Sequence, residues 1–459
     1  MTEFQQPDPE HQIGNPNLLN ERAIVLGCGM AGIAAAAALR NHFEDVVVIE
    51  RDEISQQPEP RRGVPQHAQL HNLLSCAQFN LEYLLPDFIT SLREAGAGDA
   101  SVADETHVYE LGIKMPERSL GLRLMSAWRL VIEHVARQKL QDEGRVAFEG
   151  LGRVIGLRKT NGNLSGAVVE QDGNEKTISA SVVVDATGSG SNAFRWLSDI
   201  SEHVPHSYRV RADQWYVSTI FERPVEYADS NDFWLTFPSQ PDTRGGLISP
   251  IGNSQWQVSL SGRLVDQPPK TVEEVKAYAA TLSDDLSIAS LIEHAKPRTV
   301  PNLFRKTTAT IRRYDLIDKP LAGFLPIGDA VASLNPLFGQ GMSVASQQAR
   351  ELDNILSEYG QSSLELPELT TKYLGRALVA AQSAWDLGKV VDQTVSGSAD
   401  GNEAGLRFEA LAQLINDDPE LHKLYVSIWH LIEPASALEE PHIQDRIDEV
   451  AKVLATERH

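Results

Sequence analysis

The spacing of apolar positions changes several times along the chain, and each change predicts an element. Ala23–Leu26 ("AIVL") is a short continuous apolar run, as expected of a strand buried on both faces. The alanine-rich stretch after it reads as a helix, and Val46–Ile49 as a second buried strand. Residues 61–150 read as mostly helical, with a long amphipathic run in "SAWRLVIEHVARQKLQDEG". Short strands with turn signals occupy 151–200 and close on "SVVVDATGSGS". From about 205 to 300 the pattern alternates and turns aromatic ("QWYVSTIFERP", "DFWLTFPS", "SQWQVSLSG"), which predicts an antiparallel sheet apart from the first. Strand, loop and helix return at 324–355, and helical periodicity fills the chain from about 362.

The expectation is an α/β architecture with distant segments converging on one ligand. A Rossmann-like dinucleotide-binding domain covers 22–200, with a helical insertion at 61–150, and resumes over 301–360. An antiparallel-sheet substrate domain covers 201–300, and a helical C-terminal region covers 361–459. Residues 1–21, polar and proline-bearing, read as a flexible leader without an apolar signal core. The Gly/Ser/Asp-rich break at 396–405 reads as an exposed loop rather than a lid.

Between the first two strands lie Gly27, Gly29 and Gly32 in G-x-G-x-x-G spacing, and Glu50 ends the second strand. In such a unit the first glycine permits a tight turn and the second admits a pyrophosphate. The third lets helix and strand pack closely, and the acid accepts hydrogen bonds from ribose hydroxyls. The pattern predicts dinucleotide binding without naming the dinucleotide.

Composition acts mainly by exclusion. The chain has 459 residues, 42% hydrophobic and 23% charged, which is ordinary for a globular protein. A net charge of −22 and a pI near 5.0 argue against nucleic acid and anionic membrane surfaces as partners. No stretch approaches the roughly 18 apolar residues of a membrane span. Cys28 and Cys76 form no metal-ligand or redox pattern, so no metal is expected and a reducing cytoplasm is the natural setting.

Two later segments narrow the ligand. Asp185, Ala186, Thr187 and Gly188 end a β-branched strand with small residues, where a backbone can lie against a ligand. In "GFLPIGDAVASLNPLFGQGMSVA", Gly328 and Asp329 follow a buried strand. Pro336, Gly339, Gln340, Gly341 and Met342 then open a helix, whose first N–H groups favour developing negative charge.

Taken in order, the glycine fingerprint with Glu50, "DATG" and "GDA…NPxxGQGMS" resemble the class A flavoprotein monooxygenase superfamily over residues 22–355. The resemblance implies FAD in an extended conformation. Gly27, Gly29, Met30, Ala31 and Gly32 would meet the pyrophosphate, Glu50 and Arg51 the adenosine ribose, and Val154 the adenine region. Arg129 would meet the phosphates and ribityl chain, Asp185–Gly188 the cofactor backbone, Asp329 the ribityl link, and Gly339–Met342 the flavin ring. Arg61 and Arg62 are candidates for flavin or phosphate contact. "RRGVPQHAQLHNLL" resembles a secondary-metabolism branch in which His71 matches, whereas "HAQ" departs from the pattern and leaves His67 without an implied role.

Two chemistries follow from the resemblance, and neither requires a protein nucleophile. One is redox-neutral: the FAD-dependent dialkyldecalin synthases close polyketide polyenes by intramolecular 4+2 cyclisation, acting as an entropy trap. The other is NADH- or NADPH-dependent hydroxylation or epoxidation through a flavin C4a-hydroperoxide. The degenerate "DATGSGS", the absence of a basic nicotinamide groove and the overall likeness to the synthases lean the sequence reading to cyclisation. The halogenase G-W-x-W-x-I-P signature is absent. A large hydrophobic small molecule is the expected substrate. Trp215, Phe221, Phe233, Trp234, Phe237 and Trp256 are aromatic candidates for its pocket. His71, His206, Tyr208, Gln214 and Gln257 are polar candidates for orienting it, and a homo-oligomer is left open.

Overall fold

The computed structural model describes residues 19–110, 113–238, 243–263, 266–282, 288–361, 365–395 and 401–457. Almost all of the expected leader, and residues 396–400 of the expected loop, lie outside these residues. Residues 401–405 begin a helix, Gly401–Asp417.

Strand β1 (Leu19–Leu26), helix α1 (Met30–Leu39) and strand β2 (Phe43–Ile49) form the predicted unit. They nucleate a five-stranded, all-parallel sheet in the order Phe324–Pro326, Val182–Asp185, β1, β2, Val146–Glu149. Its strands come from four distant parts of the chain, and the central ones are apolar on both faces and take cover from helices on each side. The Gly341–Gln361 helix packs on α1, and the Leu366–Val395 helix packs on it in turn. Ile24, Leu26, Val48, Val183, Leu325 and Leu352 are fully buried in this core.

A separate eight-stranded sheet runs Ala332–Ser333, Asn302–Arg313, His206–Glu222, Gln255–Arg263, Gly245–Pro250, Phe233–Thr236, Thr106–Glu110, Ile113–Lys114. All its pairings are antiparallel except Phe233–Thr236 with Thr106–Glu110. The sheet therefore reaches beyond residues 201–300. The region 61–150 is also less helical than its pattern suggests, since it contributes six strands alongside three helices. One of those strands, Arg123–Trp128, pairs with Leu70–Leu73 and Gly98–Ser101 in a small sheet beside the first core.

Strand alternation decides which face of the eight-stranded sheet each aromatic occupies. Trp215, Val217 and Phe221 share one face with Trp234, Ile248, Trp256, Val258 and Leu260. That face packs on the Val272–Ala279 and Ile288–Ile292 helices. Their neighbours one residue along point to the other face, towards the parallel sheet.

Candidate active site

The two sheets enclose one cavity of about 920 Å³. One end is lined by the carboxyl ends of the parallel strands and the start of α1, where ligands bind in open α/β sheets. The other end is lined by the eight-stranded sheet.

At the first end the three glycines of the fingerprint divide their work. Gly27 has φ +103°, and a Cβ there would lie 2.7 Å from the Ala186 carbonyl oxygen. A Cβ at Gly32 would lie 1.9 Å from the Gly27 oxygen. Both positions are closed by the protein itself. Gly29 adopts an ordinary extended backbone, and its Cβ would meet nothing nearer than Glu133 Oε1 at 4.0 Å. Gly29 borders the cavity. Gly29 caps α1 without any side-chain hydrogen bond, and the first turn carries no acidic residue, so the helix's leading N–H groups remain available to an anion.

Glu50 is buried against this turn. Its Oε2 accepts from the Cys28 N–H at 2.8 Å and from Arg61 Nη1 at 3.0 Å, and its Oε1 accepts from the Asp52 N–H at 3.1 Å. Arg61 also donates to Glu133 Oε2 at 2.5 Å and to the Cys28 carbonyl at 2.8 Å. Arg129 donates to Glu133 Oε1 at 2.6 Å. Two arginines and two carboxylates thus interlock in a buried cluster. Burial alone would raise the Glu133 carboxyl, but Arg129 and Arg61 hold it below the usual range. Burial opposes charge on Arg61, yet Glu133 and Glu50 keep its guanidinium firmly protonated.

Asp185 plays an internal part. Its carboxylate accepts from the Thr187 N–H (3.0 Å), Thr187 Oγ1 (2.6 Å) and Ser191 Oγ (2.5 Å), which fixes the Ala186–Gly190 loop at the cavity edge. Burial raises its pKa, and those hydrogen bonds act against the rise. Opposite, Gly328 (φ +62°) packs on Ala31 and donates its N–H to Gln348 Oε1 at 2.6 Å.

Of the sequence-predicted residues, Gly27, Gly29, Met30, Ala31, Glu50, Arg51, Arg129 and Val154 line the cavity. So do Ala186, Thr187, Gly188, Gly328, Asp329, Pro336, Gly339, Gly341, Met342, His71 and Phe233. Gly32, Asp185 and Gln340 lie behind the wall. Gln340 is tied to the Trp429 carbonyl at 2.9 Å, and Arg62 is exposed away from it.

The aromatic expectation needs correcting. Trp215, Phe221, Trp234 and Trp256 belong to the core on the far face of the sheet, because each sits one residue out of phase with the cavity-facing positions. Phe237 packs on Phe338 and Trp429 behind the lining. Among the polar candidates, Gln257 spends its Nε2–H on the Ala68 carbonyl at 2.8 Å. Gln214 is buried outside the cavity, and His206 and Tyr208 are exposed. His71 donates Nδ1–H to the Gln69 carbonyl at 2.9 Å, and burial with Arg129 nearby lowers its pKa to about 3.

The sheet end is lined instead by Val108, Leu124, Leu235, Leu247 and Phe304 beside Phe233, with Tyr216, Ser259, Ser261 and Lys306 as polar members. Tyr216 donates to Asn335 Oδ1 at 2.9 Å. Lys306 donates to Ser333 Oγ; burial lowers its pKa and Asp329 acts against that shift. The C-terminal region completes the wall with Trp429 and His430. Glu133 was not among the expected residues, although its place four residues after Arg129 on one helix is a signal that could have found it. Lys306 lay in an alternating run, while Trp429 and His430 carry no local signal.

The family described as FAD binding domain matches residues 21–365, so the chain belongs to it, and FAD is its cofactor. It is a flavoprotein of the FAD-dependent monooxygenase fold. Protein Rv3254 of Mycobacterium tuberculosis is 27% identical over 379 residues, covering 79% of this chain and 78% of that protein. Squalene epoxidase 4 of Arabidopsis thaliana is 28% identical over 356 residues, covering 72% of this chain but only 61% of the epoxidase. Among solved structures, the flavin-dependent brominase Bmp2 superposes with a TM-score of 0.68 at 14% identity, covering 96% and 100% of the two chains. The Diels-Alderase PyrE3 of pyrroindomycin biosynthesis gives 0.62 at 18% identity, covering 90% and 81%. Among the described residues no helix is long and apolar enough to cross a membrane.

Proposed function

We propose that the chain is a FAD-dependent enzyme that oxygenates a large apolar, polyene-type molecule. The observation that carries the substrate class is the continuity of the cofactor cradle with a chamber walled by Phe233, Leu235, Leu247, Val108 and Leu124. The likeness to squalene epoxidases and the charge in the shared wall favour oxygenation. Lys306 and the start of the Gly341–Gln361 helix, which has no acid in its first turn, both favour negative charge between the two ends of the cavity.

Gly29 and the α1 N-terminus would take the pyrophosphate, Glu50 the ribose, Arg129 the phosphates, and Gly339–Met342 the ring. When bound, FAD supplies the redox and oxygen chemistry. The apolar wall holds the olefin and excludes water, and no residue of the chain is required as a nucleophile.

A second reading, redox-neutral 4+2 cyclisation, rests on Asp185-Ala186-Thr187-Gly188 standing where the hydroxylases carry an Asp-Gly pair. One experiment separates the two. FAD-loaded protein is mixed anaerobically with NADH or NADPH, with a flavin reductase added in a parallel sample, then exposed to air with 1,3,9-decatriene as the polyene probe, which can either take up oxygen or close to a bicyclic isomer. Bleaching, recovery on air and a product gaining one oxygen atom support oxygenation. A flavin that stays oxidised in both samples, with a polyene isomerised at unchanged mass, establishes cyclisation.

A further inference from the structure

His71 stands on the strand Leu70–Leu73, where the two ends of the cavity meet. That strand pairs antiparallel with Arg123–Trp128, and His71 lies opposite Ala127. Just beyond Ala127 on one side is Arg129, at the cofactor end, and on the other is Leu124, in the apolar wall. Among the described residues His71 makes one hydrogen bond, from Nδ1 to the Gln69 carbonyl at 2.9 Å. A carbonyl oxygen only accepts, so the proton sits on Nδ1 and leaves Nε2 of the neutral ring as a bare acceptor. Burial and the nearby Arg129 charge bring the ring's pKa down to about 3, which keeps it neutral at any ordinary pH. Asn72 Oδ1, next along the strand, is sealed off without a partner; His71 Nε2 instead stays open to the cavity that its half-buried ring lines.

The residue that orients the ring is itself held. Gln69 Nε2 donates to Asn302 Oδ1 at 2.8 Å, its Oε1 accepts from Ser218 Oγ at 2.8 Å, and Gln257 donates to the Ala68 carbonyl beside it. The imidazole is therefore pinned to the eight-stranded sheet. A bare ring nitrogen takes a hydrogen bond from an O–H or N–H and offers nothing to a carbonyl or an ether oxygen. So weak a base holds a hydroxyl's proton without removing it. The Arg129 charge close by disfavours a cationic donor, which leaves a neutral one. On the chamber side the wall is hydrocarbon, with Leu70, Leu74, Leu124 and Phe233, and it suits a molecule that is apolar apart from that donor.

We propose that His71 is a substrate-binding residue whose Nε2 accepts a hydrogen bond from a hydroxyl on the apolar molecule held in the chamber. The substrate is then an alcohol, phenol or enol with a long hydrocarbon body rather than a pure hydrocarbon. This rests on the reading of the chamber as an apolar substrate site. The ribityl hydroxyls of FAD offer the same donor chemistry, so cofactor affinity is measured alongside.

Geraniol and geranyl methyl ether differ only by a methyl group in place of the hydroxyl proton. Each is titrated into FAD-loaded protein with the flavin kept oxidised, and binding is followed by flavin absorbance and tryptophan fluorescence. In the wild type the alcohol binds roughly three- to tenfold more tightly than the ether. His71→Phe removes that margin while FAD affinity and ether binding change little, and His71→Gln, whose carbonyl also accepts, restores it in part. No margin in the wild type, or a margin that survives in His71→Phe, overturns the proposal and leaves the apolar chamber standing. A margin that survives while FAD affinity falls does the same and gives the acceptor to the cofactor. Failure of both probes to bind the wild type overturns the chamber reading and the proposal with it. Should the variants misfold, ¹⁵N-histidine NMR of the FAD-loaded wild type decides. A neutral Nδ1–H ring whose bare nitrogen signal shifts with geraniol but not with the ether supports the proposal, and the absence of such a signal overturns it.

Discussion

Gly29 and Gly32 share a motif but not a reason for being glycine, and substitution should separate them. Gly29→Leu has room on an extended backbone, so the apoprotein should fold with its Tm little changed while FAD retention is lost. Gly32→Ala puts a methyl 1.9 Å from the Gly27 oxygen and should lower apoprotein stability itself. Thermal melts of both apoproteins, beside their flavin content, distinguish ligand space from packing. Glu50→Ala should weaken FAD by roughly 1.5–3 kcal/mol, as expected for hydrogen bonds to a charged group. Titration of apoprotein with FAD measures this. Glu133 then remains as the one carboxylate between Arg61 and Arg129, so the apoprotein's Tm should fall as well, and the melt reads that loss separately from FAD affinity. An unchanged affinity in Glu50→Ala would remove the basis for assigning the ribose to this carboxylate.

At the scale of elements, the Asn302–Arg313 strand brings Lys306 into the wall that faces the first turn of the Gly341–Gln361 helix. Lys306→Met should make the bound flavin's reduction potential more negative, by about 30 mV, which is about 1.4 kcal/mol for a two-electron couple. Potentiometric titration of the loaded variant reads the change. Another tie joins the sheet edge to the C-terminal helices: Tyr425 donates to Glu110 Oε2 at 2.8 Å. Burial pushes the Glu110 carboxyl up to about 7, and the Tyr425 hydrogen bond only moderates the rise. Since the folded pKa lies above the unfolded one, the protonated form's stabilisation is complete below about pH 4.5 and is lost as pH rises through 7. Glu110→Gln should flatten this part of the stability profile and gain on the wild type above pH 7, as melts across the pH range will show.

The same elements explain how far the sequence could be read. The unit from β1 to β2 was legible because its apolar period, glycines and Glu50 all point one way. Most of the residues expected to hold the cofactor line one end of the cavity. The phase of the aromatic strands was not legible: both faces of the eight-stranded sheet are covered, so Trp215, Trp234 and Trp256 look alike whichever way they point. The strand Thr106–Glu110 sits among helical periodicities; it pairs on one side with the two-residue strand Ile113–Lys114 and on the other with Phe233–Thr236, far along the chain. Trp429 and His430 read as the end of an ordinary amphipathic helix, because contacts with Phe338 and Ser75 leave no trace in local pattern.

For the whole molecule, FAD should act as a tie. The cradle proposed for it draws on cavity-lining residues near 29, 50, 129, 187, 329 and 341, so occupancy there should restrain six separated segments at once. Saturation at 100 times the dissociation constant should stabilise the fold by about 2.7 kcal/mol. The two thiols offer a way to watch where that restraint acts. Cys28 lies in the glycine turn and Cys76 in a different core cluster, and burial pushes both thiols up to about 12. Neither is a reactive thiolate in the closed protein, so a disulfide reagent can modify each only when its surroundings open. The two labelling rates become clocks for two local openings within one chain. Adding FAD should slow the Cys28 clock by the factor expected of ligand occupancy and leave the Cys76 clock almost untouched.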